Sequence, residues 1–247
     1  MRTFATAAAI FLAASFARGD DSKWMMNYYK HPTPKEIPSR LAEWQKQGIL
    51  AGEKTKGVAI GFLSQVMRDN PPLIQGWLTT WETFPEADKK TILMAAWYSG
   101  ASQATDYFKS HNLNQFLKQK APEPNSVSVD DPSRLDFYWA RYFASGDASC
   151  IRRIISALEY EKYAGSLDKF KSSKKTDKDR KAAFYDLIFK SAMWSLQSNC
   201  KQDEKVYSIC KELFLSHKLS KPEEIFLSVV LSKVHPDEFK LEFHKDT

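Results

Sequence analysis

A chain of 247 residues with 43% apolar and 27% charged side chains is long enough to bury most of a large core without covalent staples. Its three cysteines exclude a disulfide-stapled mini-domain, and their odd number leaves at least one thiol free, buried or paired between chains. The 36 Lys and Arg against 30 Asp and Glu give +6, a mild excess.

Residues 1–19, MRTFATAAAIFLAASFARG, place one cation, Arg2, before an apolar run that ends in small residues, which is the order of a secretory signal peptide. The run over 4–17 is about 14 residues, short of the roughly 20 that a helix needs to cross hydrocarbon. Cleavage after Ala17 or Gly19 is expected, with Asp20-Asp21-Ser22 near the new terminus and the net charge falling to +5 with the loss of Arg2, or to +4 where Arg18 leaves with it. The other readings of this segment are an apolar first helix docked on the domain and an uncleaved signal anchor. Later apolar stretches, 92–98 and 225–231, are far below spanning length.

Next comes Trp24-Met25-Met26-Asn27-Tyr28-Tyr29, followed by the rigid His31-Pro32-Thr33-Pro34. The spacing predicts a helix from Pro38 that closes at Gly48, using Pro in the first turn and Gly past the last. A second is predicted over 53–68, where Val58, Ile60, Phe62, Leu63, Val66 and Met67 make a broad apolar face; Pro71-Pro72 stops it. Further helices are predicted over 73–83, 86–98 (closed by Ser99-Gly100) and 102–109. Strand-like Val and Thr runs are scarce, so the fold class is all-α.

Four segments share one form: 62–78, 93–108, 138–155 and 192–210 each read as an apolar helix, a short polar or Gly/Pro turn, and a second apolar helix. Pairs of this kind stack antiparallel, as in tetratricopeptide-like solenoids. The turns fall near 70, 100, 146 and 201, an irregular spacing that predicts an irregular α-solenoid or helical bundle. Residues 20–247 are expected to form one domain, with 121–131 (APEPNSVSVDD) and 160–181 as the places where it would divide. The second stretch reads as an exposed charged loop with a short helix.

Tyr28-Tyr29 with Pro32 and Pro34, the FL..V...NP..I..WL tract at 62–78, AAWYSG at 95–100, LD..W..YFASGD at 135–147 and WSL..N......V at 194–206 resemble a family of secreted bacterial proteins of unknown function. The resemblance covers most of the chain after the leader. It implies a secreted bacterial origin and an all-helical build of tetratricopeptide-like hairpins. It implies no activity and offers no catalytic residue to carry over.

The chemistry-bearing residues point the same way. His31, His111, His217, His235 and His244 form no H-E-x-x-H pair, and no Cys lies near a His at metal spacing. His235-Pro236-Asp237-Glu238 with His244 is the nearest approach to a site and reads as solvated terminal residues. There is no G-x-S-x-G elbow and no phosphate loop; Gly57 and Gly61 sit inside helical periodicity. No catalytic residue, metal ligand or cofactor is therefore expected. Asp147, ahead of Ala148-Ser149-Cys150, reads as a helix N-cap. The functional alternative is an anion at that helix start with Arg152 and Arg153, beside a Cys150 thiol of lowered pKa.

Aromatic residues, 13% with seven Trp, are the compositional excess. Trp44, Trp77, Trp81, Trp97, Trp139 and Trp194 lie in apolar helical stretches and are expected in the core, with Trp139 and Trp194 as buried anchors just before their turns. Trp24, Tyr28 and Tyr29 are expected to fold back as a cap or, alternatively, to present a partner-binding surface. Lys169, Lys171, Lys174, Lys175, Lys178, Arg180 and Lys181 form one basic cluster, diluted by Asp168, Asp177 and Asp179 and lacking stacking aromatics beyond Phe170. It reads as a solvated loop, with an anionic membrane surface as the alternative. Cys210 lies about 10 Å along its helix from the turn at Cys200, so that pair looks poorly placed; Cys150 and Cys200 are the candidate bridge, against three unpaired thiols.

The resulting expectation is a secreted or periplasmic, non-catalytic binding or scaffolding protein whose partner is a protein or peptide, with nucleic acid disfavoured. The rivals are a helical enzyme whose site is assembled from distant segments and a basic envelope-surface protein. A concave groove lined by polar and aromatic side chains favours binding, and a buried cluster of perturbed carboxylates or histidines favours the enzyme.

Overall fold

The computed structural model describes residues 19–172 and 176–239. The expected leader up to residue 18, Lys174, Lys175 and His244 lie outside them. Among the described residues there are twelve α-helices and no strands. In chain order they are α1 (Gly19–Asn27), α2 (Ile37–Lys46), α3 (Lys56–Asp69), α4 (Ile74–Thr80), α5 (Glu86–Ser99), α6 (Ser102–Ser110), α7 (Pro132–Ser145), α8 (Ala148–Ile155), α9 (Ser166–Ser172), α10 (Asp177–Gln202), α11 (Glu204–Leu215) and α12 (Lys221–Val234). No helix is long and apolar enough to cross a membrane among the described residues.

The helices form two compact units. The first contains the described residues up to Ser128 together with Asp136–Cys150, and the second contains Val129–Leu135 and the chain from Ile151 onward.

In the first unit α3 is buried on almost every side, from Val58 through Met67. Its main neighbour is α5, whereas α4 lies chiefly against α6. The turn expected at 70 is present, as a 3-10 turn over Pro71–Leu73, but the helices on either side of it are not each other's principal partners. The reason is length: α4 has seven residues and cannot cover the fourteen of α3. Helix α7 crosses α3 at Gly61, where a β-carbon would stand 2.4 Å from the Phe137 carbonyl oxygen. Only glycine permits backbones that close. Trp44, Phe62, Trp81, Phe108, Phe137, Tyr138, Trp139, Tyr142 and Phe143 fill the core.

In the second unit the 26-residue α10 is the central post, and the 3-10 segment Ser156–Tyr163, α9, α11 and α12 all pack on it. The stretch expected as a mainly exposed loop, 160–181, is helical over most of its described length. Two devices explain this. The Thr176 hydroxyl accepts from the Asp179 N–H while the Asp179 carboxylate accepts from the Thr176 N–H, a capping box that starts α10 despite its charge. Buried Asp186 accepts from the Leu167 N–H at 2.9 Å and from Lys190 at 3.0 Å, holding the first turn of α9 on α10.

Trp194 departs from expectation. It is 46% exposed, because α10 buries the stripe of Ile188, Ala192, Ser195, Leu196 and Asn199 and residue 194 falls outside it.

Candidate binding groove

A concavity lies in the first unit, where α5 turns into α6. Gly100, at φ +69°, donates its N–H to the Trp97 carbonyl and ends α5 in the left-handed conformation that glycine adopts without a β-carbon clash. The residues around that turn are small: Ala96, Gly100, Ala101 and Ala104. A returning segment, 116–123, runs past them without filling the space. It is anchored by the Trp97 indole N–H, which donates to the Gln119 carbonyl at 3.2 Å, and by Phe116 stacked on Phe108 at 4.8 Å. Between the two walls is a groove of about 350 Å³, with Leu117 and Pro122 completing its apolar lining and Arg68, Lys120 and Glu123 carrying its charge. The Arg68 guanidinium stands 3.8 Å from the Glu123 carboxylate.

A buried polar chain occupies the core of the same unit. Arg141, 3% exposed, donates to the Ser64 hydroxyl at 2.9 Å and to the Gln65 side-chain carbonyl; the Gln65 amide in turn donates to the Asp69 carboxylate at 2.9 and 3.0 Å. Burial lowers the pKa of Arg141, and Arg68 lowers it further, whereas the neighbouring Cys150 opposes the shift. Tyr28 is pushed up to about 12 by burial and by the charges of Asp69 and Glu36.

Two further titratable clusters are engaged in internal bonds. The Tyr107 hydroxyl donates to Glu82 at 2.9 Å, with His111 stacked on its ring at 3.9 Å; burial and Glu82 both raise the Tyr107 pKa. In the second unit Tyr207 and Lys211 both donate to Glu238, which holds that carboxylate below its ordinary range, and His235 lies against the Tyr207 ring at 4.3 Å. The hydrogen-bonded partners are 25 to 31 residues apart in sequence, beyond any local pattern.

The residues singled out in the sequence are distributed as follows. Trp24 is half-buried, packed on Tyr28, Trp44 and Phe62 with the Arg40 guanidinium 5.0 Å from its ring centre, and its indole N–H donates to Thr33 at 3.0 Å. Tyr28 is buried and Tyr29 leans on Tyr142, so this stretch is folded back on the first unit. Asp147 caps α8, accepting from the Ser149 N–H at 2.8 Å and the Ser149 hydroxyl at 2.6 Å. The basic segment does have aromatic company. Tyr160 and Tyr185 stack at 4.5 Å with Tyr163 beside them, and Lys162 and Lys181 stand over Tyr163 and Tyr185. The fold gathers these rings from two segments about 22 residues apart, which is why reading 169–181 alone finds only Phe170.

Cys150, Cys200 and Cys210 are buried free thiols. Cys150 is in the first unit, and its thiol is pushed up to about 12 by burial despite Arg141, the opposite of a lowered, reactive thiol. In the second unit the Cys210 thiol hydrogen-bonds to Cys200, and that contact with full burial raises it well above the ordinary range. The sequence-near pair therefore does meet. Cys200 sits three residues before the turn residue Asp203 rather than at the turn, so its axial offset from Cys210 is smaller than the one expected. At pH 8 the native protein is expected to leave Cys150 and Cys210 unlabelled by iodoacetamide, with labelling only after denaturation. Rapid alkylation of Cys150 in the folded protein, read by peptide mass spectrometry, would contradict its burial.

No protein-family model, no curated protein and no solved structure matches this chain. The all-helical build stands on the chain's own geometry. The groove was missed in the sequence because its parts, Arg68, 96–108 and 116–123, carry no chemical motif; the one signal was the run of small residues flanking Trp97.

Proposed function

We propose that this protein is a secreted or periplasmic, non-catalytic binding module of the helical-hairpin kind, and that it takes peptide segments in the groove beside Trp97. The observation that carries the reading is the groove itself: an aromatic and small-residue lining with charged groups at its rim, of a size that ligand sites use. Curved helical surfaces bind extended peptides in other proteins, which supports the reading by analogy of fold alone. The cation, apolar run and small residues of the leader support export.

The test has two arms. The purified chain is passed over an immobilised library of random hexapeptides, and a subset rich in apolar side chains is expected to be retained. Thr105→Trp, which adds an indole from a half-buried position on the groove wall, is expected to abolish that retention. Retention no better than that of an unrelated helical protein overturns the binding reading. For location, the N-terminus of the protein recovered from the cell envelope or medium is expected to begin after Ala17 or Gly19; an intact Met1 on a cytoplasmic product overturns export.

A further inference from the structure

The charges at the groove are unbalanced in a way that names the end of the peptide it would hold. Arg68 and Lys120 are both exposed cations on the lining, against the single acid Glu123. Arg68 meets Glu123 at 3.8 Å, too far for a hydrogen bond, and among the described residues neither cation makes a hydrogen bond and Lys120 has no ion pair. A guanidinium with its donor fork open pairs best with a carboxylate, which it takes with two parallel bonds.

The volume adds a second constraint. At about 350 Å³ the space is at the small end of the ~300–1,000 Å³ that ligand pockets span, enough for the end of a chain and too little for a length of it. Trp97, Phe108 and Phe116 line it with apolar surface next to the cations.

We infer that the groove captures the carboxyl terminus of a peptide, its last side chain apolar and seated among Trp97, Phe108 and Phe116, its terminal carboxylate held by Arg68 and Lys120. The inference rests on the peptide-binding reading above and sharpens it. Capture of a terminal carboxylate is a recurrent mode of peptide recognition. Here the carboxylate displaces Glu123 from Arg68, exchanging a loose pair at 3.8 Å for a bidentate one beside the aromatic wall.

Fluorescence anisotropy of fluorescein-labelled Ala-Gly-Ser-Gly-Ala-Phe tests this, comparing the free acid with the C-terminal amide. The acid is expected to bind at least tenfold tighter. Arg68→Gln and Lys120→Gln, both at exposed positions that leave the helical circular dichroism unchanged, are each expected to bring that ratio toward one, and Thr105→Trp to remove binding of both peptides. Equal affinity for acid and amide, or a ratio that survives Arg68→Gln, overturns terminal capture while peptide binding stands. N-acetylphenylalanine binding as tightly as the hexapeptide reassigns the groove to a small apolar acid and overturns the peptide. No binding by either hexapeptide, with no library peptide retained, overturns both readings.

Discussion

Trp139→Ala is expected to lower the unfolding free energy by about 3–5 kcal/mol, whereas Trp194→Ala shifts it by no more than about 0.5 kcal/mol. Both residues stand in apolar helices shortly before a turn, and nothing in the local sequence separates them. Their environments do. Trp139 is fully buried on α7, edge-on to Tyr142 at 6.2 Å and stacked on Phe143 at 6.0 Å, so truncation removes a large apolar surface and leaves a cavity walled by rings that cannot collapse into it. Trp194 is nearly half exposed on α10, and alanine, the better helix former, replaces it at little loss. Urea denaturation followed by far-ultraviolet circular dichroism reads both. A Trp194 loss as large as that of Trp139 would mean that α10 is turned about its axis from the orientation described.

Arg152→Met is expected to cost about 3 kcal/mol, and the effect belongs to the charge it abandons. Glu223, 1% exposed near the start of α12, accepts two bonds from the Arg152 guanidinium at 2.7 and 3.0 Å and a third from the Ser220 N–H at 2.9 Å. Removing one member of a buried pair strands the other, which costs about 3–5 kcal/mol; the 38% exposure of Arg152 places this pair at the lower end. Replacing both partners, Arg152→Met with Glu223→Leu, is expected to recover most of that loss and to leave about 1 kcal/mol for the lost cap. A double variant no more stable than Arg152→Met would show that the ion pair contributes through its own attraction and not by neutralising a buried carboxylate.

What could be read from the sequence alone is what depends on residues within about one helical turn of each other. The all-α class, the break at Pro71-Pro72, the glycine closing α5 and the Asp147 cap on α8 are all of this kind, because helix starts and stops are decided by the backbone limits of Pro and Gly and by caps that bond two to four positions away. Near-neighbour spacing also shows that an apolar face exists. It does not show which neighbour covers it. Packing decided that α3 pairs with α5 instead of α4, that Gly61 is the point where α7 crosses, that Trp139 is interior while Trp194 is not, and that Cys210 meets Cys200. The groove is the clearest case. Arg68, Trp97, Phe116 and Lys120 come from separate stretches of chain, and each taken singly is an ordinary helix or loop residue. Their joint geometry exists only once burial of the surrounding apolar faces has brought those stretches together, since the hydrophobic effect that drives the collapse is proportional to area and blind to sequence order.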